Sequence, residues 1–449
     1  MGSSGLGTGY FIRLGAVVCV AVILGAVIFK PMAGRDALER LAANAPESAP
    51  LAARACAVGE APLSGGFAPI DDVLSVSPLG AVTAPGEPLP TPYIRINTRK
   101  GSNVFERRET KALAPARADI TAIERHVRRD ADGKAVAVSW SVHFAACDKI
   151  SFYYDGLDDV EESIVRRAGG LKNFIEIGGP DDLAVETRIR VRAGDVIGVA
   201  HGFDVGLNDL GAPPAQMARP ERYRTNPYQH AAVFDTPPSL IAAITPDHAR
   251  ARCPIDYMAK GLSTEWATKL GDSWGMRKAK GDNACRTALV DAPGSAQGAW
   301  FTDASHNAIT NKVSAIALAP DAIDPGRLIF SLHGRLASLK PDMVALNPML
   351  EDEREAASKD FLTFEQADAG ERINTPFDKV KEGQTYCYER LRANFVGPKI
   401  NGVLLLRIDP AAQAGGAPLM KIEARPEAFT CLDLEEPWSF TGKETTFYR

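Results

Sequence analysis

The segment Arg188–Asp209, RIRVRAGDVIGVAHGFDVGLND, decides how the first half of the chain is read. Two β-branched runs flank Ala193-Gly194-Asp195, whose glycine and aspartate supply the chemistry of a tight turn. A second turn then leads into a third strand, FDVGLND. Working outward, Val136, Val138, Trp140, Val142 and Phe144 alternate with small or polar residues, which predicts a strand with one buried face. Tyr93–Asn97, Ile120–His126 and Ile150–Tyr154 read as further short strands. Many short strands at close spacing predict a mainly β fold, an antiparallel barrel or sandwich.

The chain has 449 residues, 45% hydrophobic and 24% charged, enough for two or three domains that each bury a core. A formal net charge of −5 and no basic run with interleaved aromatics argue against nucleic acid as a partner. Phosphate loops and dinucleotide fingerprints are missing, and Ser331-Leu332-His333-Gly334 does not form the G-x-S-x-G elbow of a serine hydrolase. The acidic run Asp158, Asp159, Glu161, Glu162 lacks the glycine-spaced loop of a calcium site and reads as a solvated face.

Phe11 to Phe29 is a 19-residue apolar run broken only by Arg13, about enough to cross a roughly 30 Å hydrocarbon layer. Lys30-Pro31 interrupt the small-residue region that a cleaved signal would need, so an uncleaved transmembrane anchor in residues 1–30 is favoured. Of seven cysteines, Cys19 lies in this run and the other six are scattered without C-x-x-C spacing. That pattern fits disulfides in an oxidising compartment and places the body outside the cytoplasm, in the periplasm or on the cell surface. Proximity in sequence suggests Cys253 with Cys285 and Cys387 with Cys431, leaving Cys56 for Cys147, among fifteen connectivities open to six cysteines.

Residues 31–69, rich in Ala, Pro, Gly and Ser, read as a linker. A first β domain is expected over 70–245 and a second β-rich domain over 246–449. In the second, Thr264–Leu270 is expected as a helix capped by Ser263. Trp300-Phe301, Val313–Leu318, Arg327–Leu332 and Gly402–Ile408 read as strands, and Glu351–Asp368 as an acidic, exposed segment with a helix. Gly294, Gly298 and Trp300 read as a turn packing an aromatic ring.

Three stretches in order, PLGAVTAPGEPLPTPYIRIN, ISFYYDGLDD and VRAGDVIGVAHGFDVG, resemble degenerate members of the LytM/lysostaphin-type zinc metallopeptidases. The resemblance spans roughly Ser77 to Asp209. CPIDYM, PGSAQGAWF, ALAPDAIDPGRLIFSL, TYCYE and TTFYR in the second half resemble the segment that follows such domains in some bacterial envelope proteins. Active members hold Zn²⁺ with an H-x-x-x-D pair and the last histidine of H-x-H, and place a further histidine in Y-x-H. Aligned on these motifs, Tyr93 and Asn97 stand at the H-x-x-x-D positions, Gly156 at the Y-x-H histidine and Asp204 at the final ligand.

The resemblance therefore implies a scaffold without its metal and no cofactor. The expected function is a non-catalytic, membrane-anchored envelope protein that binds cell-wall peptide or glycan, or another envelope protein. Its groove would be lined by Tyr93, Asn97, Tyr154, Asp204 and His201. The alternative is a metal-dependent peptidoglycan endopeptidase using His201 and Asp204 as unusual ligands. The plain reading of His201 is a loop residue bonded to its neighbours, and that of His143 a residue on the polar face of its strand.

Overall fold

The computed structural model describes residues 55–449 apart from 57–60, 83–88, 100–105, 131, 178–181, 224–236, 246, 282–283, 286–290, 307–313, 333, 345–360, 366–371, 396 and 412–417. The apolar run Phe11–Phe29 lies outside the described residues. Among the described residues no helix is long and apolar enough to cross a membrane.

Among the described residues the first half contributes eleven strands: β1 Val73–Ser77, β2 Ile94–Thr98, β3 Thr110–Leu113, β4 Ala118–Arg129, β5 Ala135–Ala145, β6 Ile150–Leu157, β7 Asp159–Val160, β8 Ile175–Glu176, β9 Leu183–Val191, β10 Val196–Ala200 and β11 Phe203–Asp209. An antiparallel eight-stranded sheet runs β1-β2-β11-β6-β5-β4-β9-β8, and a three-stranded sheet runs β3-β10-β7. The turn between β9 and β10 forms as expected. Gly194 takes φ +89°, a region open to glycine at little cost, and the Asp195 carboxylate accepts from the Arg192 amide at 2.8 Å.

Strand alternation sends Ile94, Ile96, Ile123, Val142, Phe144, Phe152, Tyr154, Phe203 and Val205 of the large sheet into one core with Ala112, Ile197 and Ala200 of the small sheet. The result is a sandwich. The barrel alternative is not realised: the terminal strands β1 and β8 remain unpaired with each other, so the sheet is open. The alternation in β5 also buries less than it promises. Trp140, Val142 and Phe144 are inside, but Val136 and Val138 are 51% and 37% exposed, because the strand runs on past the sheet that covers it.

The core draws on both flanks. Leu63 and Phe67, expected in a linker, are fully buried, and Leu63 exchanges backbone hydrogen bonds with Tyr257 and Ala259. The second flank follows α1 (Glu162–Arg167) and α2 (Pro238–Ile244): α3 spans Lys260–Ala267 and seats Trp266 edge-on against Phe67 at 5.0 Å. This helix begins one turn before the expected start, and Ser263 is inside it rather than capping it, its N–H bonded to Ala259. The first core thus continues through Cys285 and the second begins at Ala296, well beyond residue 246.

The second half forms one antiparallel nine-stranded sheet. Its strands are β12 Gly298–Phe301, β13 Ala315–Pro320, β14 Arg327–Ser331, β15 Phe361–Glu365, β16 Thr385–Tyr388, β17 Arg392–Ala393, β18 Val403–Asp409, β19 Leu419–Arg425 and β20 Thr445–Tyr448. The order is β16-β18-β19-β20-β12-β13-β14-β15-β17. Of Glu351–Asp368, expected to be acidic and exposed with a helix, only Phe361–Glu365 lies among the described residues, and it forms β15, buried and paired along its length with β14. The acidic composition of the flanks hid an apolar FLTF run suited to a buried strand. Trp300 is buried after the Gly294 turn, its indole N–H donating to Ala296 O at 2.8 Å.

All three expected disulfides form, with Cα–Cα distances of 5.0 Å for Cys56–Cys147, 5.6 Å for Cys253–Cys285 and 6.0 Å for Cys387–Cys431. Cys253–Cys285 belongs to the first core, not the second as its position in sequence suggests. The two halves pack together through Met217, Tyr223 and Ala249 against Ala299, Phe301 and Ala315. Val82 also meets Ile329 and Phe361, and Arg277 pairs with Asp321 while stacking on Phe395.

Candidate functional site

The face of the eight-stranded sheet turned away from the small sheet carries a continuous polar row. The same alternation that buries Ile94 and Ile96 puts Tyr93, Arg95 and Asn97 of the β2 segment on this face. Register then aligns Asp204 of β11 opposite Arg95, Asp155 of β6 opposite Asp204, and Tyr153 opposite Gly206. His143 and Ser141 follow on β5, and Glu124 and His126 on β4.

Each charge in the row has a partner. Arg95 donates through Nε to Asp204 Oδ1 at 2.7 Å and through Nη2 to Oδ2 at 2.8 Å, a fork that fixes both groups. Its guanidinium also lies 5.9 Å from the Tyr93 ring centroid. Asp155 accepts from Ser141 Oγ at 2.7 Å. Tyr153 lies across Gly206, where a Cβ would fall inside its ring. Burial, then the charges of Asp155 and Asp204, push the Tyr153 phenol up, so it stays neutral.

Farther along, His143 Nε2 stands 2.6 Å from Glu124 Oε1 and His126 Nε2 stands 3.6 Å from Oε2. Burial pushes the Glu124 carboxyl up, but its bonds to His126 and His143 outweigh this and hold it down at about 2. Burial pushes His126 down, yet Glu124, with Asp155 and Asp182, raises it overall.

Replacing Gly206 by alanine is expected to lift the Tyr153 ring from the row and cost about 1–3 kcal/mol by overpacking. Chemical denaturation measures it. A variant as stable as the parent would mean that the ring is free to leave β11.

The expected groove residues are partly brought together. Tyr93, Asn97 and Asp204 share the polar face. Tyr154 does not: it points to the core, and its hydroxyl donates to Leu113 O of the opposite sheet. Its neighbour Tyr153 has the outward position, since adjacent residues of a strand face opposite ways. His201 sits in the turn between β10 and β11, where Asp158 Oδ2 accepts from its backbone N–H at 2.8 Å and lies 2.7 Å from its Nδ1. It is not paired with Asp204. Arg95, Tyr153, Asp155, Ser141 and Glu124 were missed, although the outward positions of β2, β4, β5 and β6 pointed to them.

The positions aligned with zinc ligands do not fit Zn²⁺. Asn97 Nδ2 donates to Ser75 Oγ at 3.2 Å and Ser77 Oγ at 3.1 Å. Both oxygens of Asp204 accept from a guanidinium, whose charge would oppose a divalent cation at that place. Among the described residues, Cys56, Cys147 and Asp148 have three potential donor atoms within 4.8 Å of one another, but the two sulfurs are joined in a disulfide. No protein-family profile, curated protein or solved structure matches the chain.

Proposed function

We propose that this chain is a non-catalytic, membrane-anchored protein of a bacterial cell envelope, in which a LytM/lysostaphin-like sandwich serves as a binding domain. The observation that carries the reading is the Arg95–Asp204 fork. It places a permanent cation against the residue aligned with the final ligand, where the aligned peptidases hold their metal. What remains open to a ligand is the half-buried part of the row, Tyr93, Arg95 and Asp155, held in place by the buried Asp204 and Ser141 and suited to the amides and hydroxyls of cell-wall peptide or glycan. Three disulfides support an oxidising compartment, and the Phe11–Phe29 run supports attachment to the membrane.

The test is co-sedimentation of the full-length chain with purified peptidoglycan sacculi. The parent is expected to sediment with them, and a variant carrying Tyr93→Ala and Asp204→Asn together to lose at least about tenfold in affinity, near 1.4 kcal/mol. Unaltered binding by the double variant removes the groove. Release of soluble peptide fragments from the sacculi would replace a binding role with an endopeptidase.

A further inference from the structure

We infer that this chain associates head to tail with further copies of itself, the turn at residues 429–433 of one copy seating on the turn at residues 272–277 of the next. The starting observation is exposure. Trp274 and Met276 are 47% and 73% exposed, and Phe429 and Leu432 are 76% and 83% exposed. Scattered apolar side chains on a surface are ordinary. Two large ones on a single turn, twice in one chain, form patches that a partner would cover.

Both turns are built to hold these side chains out. Asp272 Oδ1 accepts from the Met276 N–H at 2.8 Å, Asp272 O accepts from the Gly275 N–H at 3.0 Å, and Gly275 lies against Leu74 of β1. Asp433 Oδ2 accepts from the N–H groups of Phe429 at 2.9 Å and Thr430 at 2.7 Å. Cys431 then joins this second turn to Cys387 of β16. A surface fixed before contact loses little conformational entropy on docking.

Charge and position select the occupant. The chain leaving the first turn reads Arg277-Lys278-Ala279-Lys280, and that leaving the second reads Asp433-Leu434-Glu435-Glu436. Asp321 and Asp324 pair with Arg277 and Lys280, and Arg372 pairs with Glu436, so the exposed Lys278 and Glu435 carry the complementarity. Burial, then the charges of Arg99 and Lys278, push the Lys269 ammonium down against smaller pulls from Asp71 and Glu265, a sign of the cations gathered beside the first turn. Within one copy the two turns stand far apart. Arg277 stacks on Phe395, two residues past β17, whereas Cys387 lies in β16, and these strands are the opposite edges of the nine-stranded sheet. Nine strands give eight spacings, roughly 40 Å along the sheet. Two different, complementary patches at opposite ends make a heterologous interface, which repeats into a ring or a filament. A symmetric dimer would set each patch against its own copy and oppose like charges.

The inference does not rest on the binding function proposed above. Sedimentation velocity of the full-length chain in a non-ionic detergent tests it, and species larger than dimers are expected to grow with concentration. Met276→Asp and Leu432→Asp should each weaken association by at least about tenfold. An equimolar mixture of these two variants keeps one intact interface and should stop at dimers. Lys278→Glu and Glu435→Lys should each weaken association by about tenfold, and both on one chain should restore it. Leu171→Asp, at an exposed position elsewhere, should change nothing. Circular dichroism checks that the variants fold, which their exposed positions favour. A chain that stays monomeric at every concentration, or association that survives either Met276→Asp or Leu432→Asp, overturns the inference and leaves the two turns to other partners.

Discussion

Replacing Arg449 by alanine is expected to destabilise the chain by about 3–5 kcal/mol. Its guanidinium Nε lies 3.0 Å from Asp291 Oδ1, and both side chains are almost wholly buried. Nη1 donates to the carbonyls of Ala292 at 3.1 Å and Ser295 at 2.7 Å, and Nη2 to that of Gln297 at 2.6 Å. The group also lies over Trp300, 4.3 Å from the ring centroid. One side chain thus ties together the loop that leads into β12. Truncation leaves a buried carboxylate without its cation and takes a donor from each of three carbonyls, of which Gln297 O keeps the Ala292 N–H and Ala292 O keeps Ser295 Oγ, so the unpaired Asp291 charge dominates the cost. Lysine would recover little, since a single ammonium cannot span the same carbonyls in a plane. Denaturant unfolding of Arg449→Ala, Asp291→Ala and the double variant gives the coupling. A double variant as costly as the sum of the singles would show that the two residues act independently.

The second large effect is acid sensitivity centred on His248. This residue lies in a short 3₁₀ turn, His248–Arg250, and its Nδ1 is sealed from solvent with no hydrogen-bond partner among the described residues. Burial holds the imidazole down at about 4, against a smaller opposing pull from the Asp247 charge. The folded chain therefore keeps His248 neutral, while the unfolded chain protonates it near the ordinary value of about 6.5. Stability from this group is complete above about pH 6.5 and is lost as the pH falls toward 4, on the order of 3 kcal/mol in total. Urea titrations at pH 7 and pH 4 should show a smaller difference for His248→Gln than for the parent. Equal differences would assign the acid loss to other groups.

The strands of both halves were legible because β-branched and aromatic residues alternate or cluster along them. Ile94 and Ile96, and Val142 and Phe144, carry that signal, and Val403–Leu406 is a short continuous apolar run. The pairing of cysteines was legible from sequence proximity alone. Neither signal reports which core a segment joins. Leu63 and Phe67 stand in a stretch of small and proline residues, and only contact with Tyr257 and Trp266 reveals them as core. At the polar face the motif alignment located Tyr93, Asn97 and Asp204 but was silent on Arg95, which has no counterpart among metal ligands. Choosing Tyr154 over Tyr153 was an error of parity: a one-residue step along a strand exchanges the polar face for the core. The cluster of Glu124, His126 and His143 depends on β4–β5 register, which no local pattern states.

The reach of the first core as far as Cys285 also bears on the order of events during synthesis. A chain growing from its N-terminus holds all eleven strands of the sandwich by Asp209 but lacks Trp266, the ring that closes over Phe67. Until that later stretch emerges, Phe67 has lost its lid and Cys253 has no partner. Maturation of the first half is thus deferred to a point well past its last strand, and a fragment cut at residue 245 would inherit the unfinished state permanently.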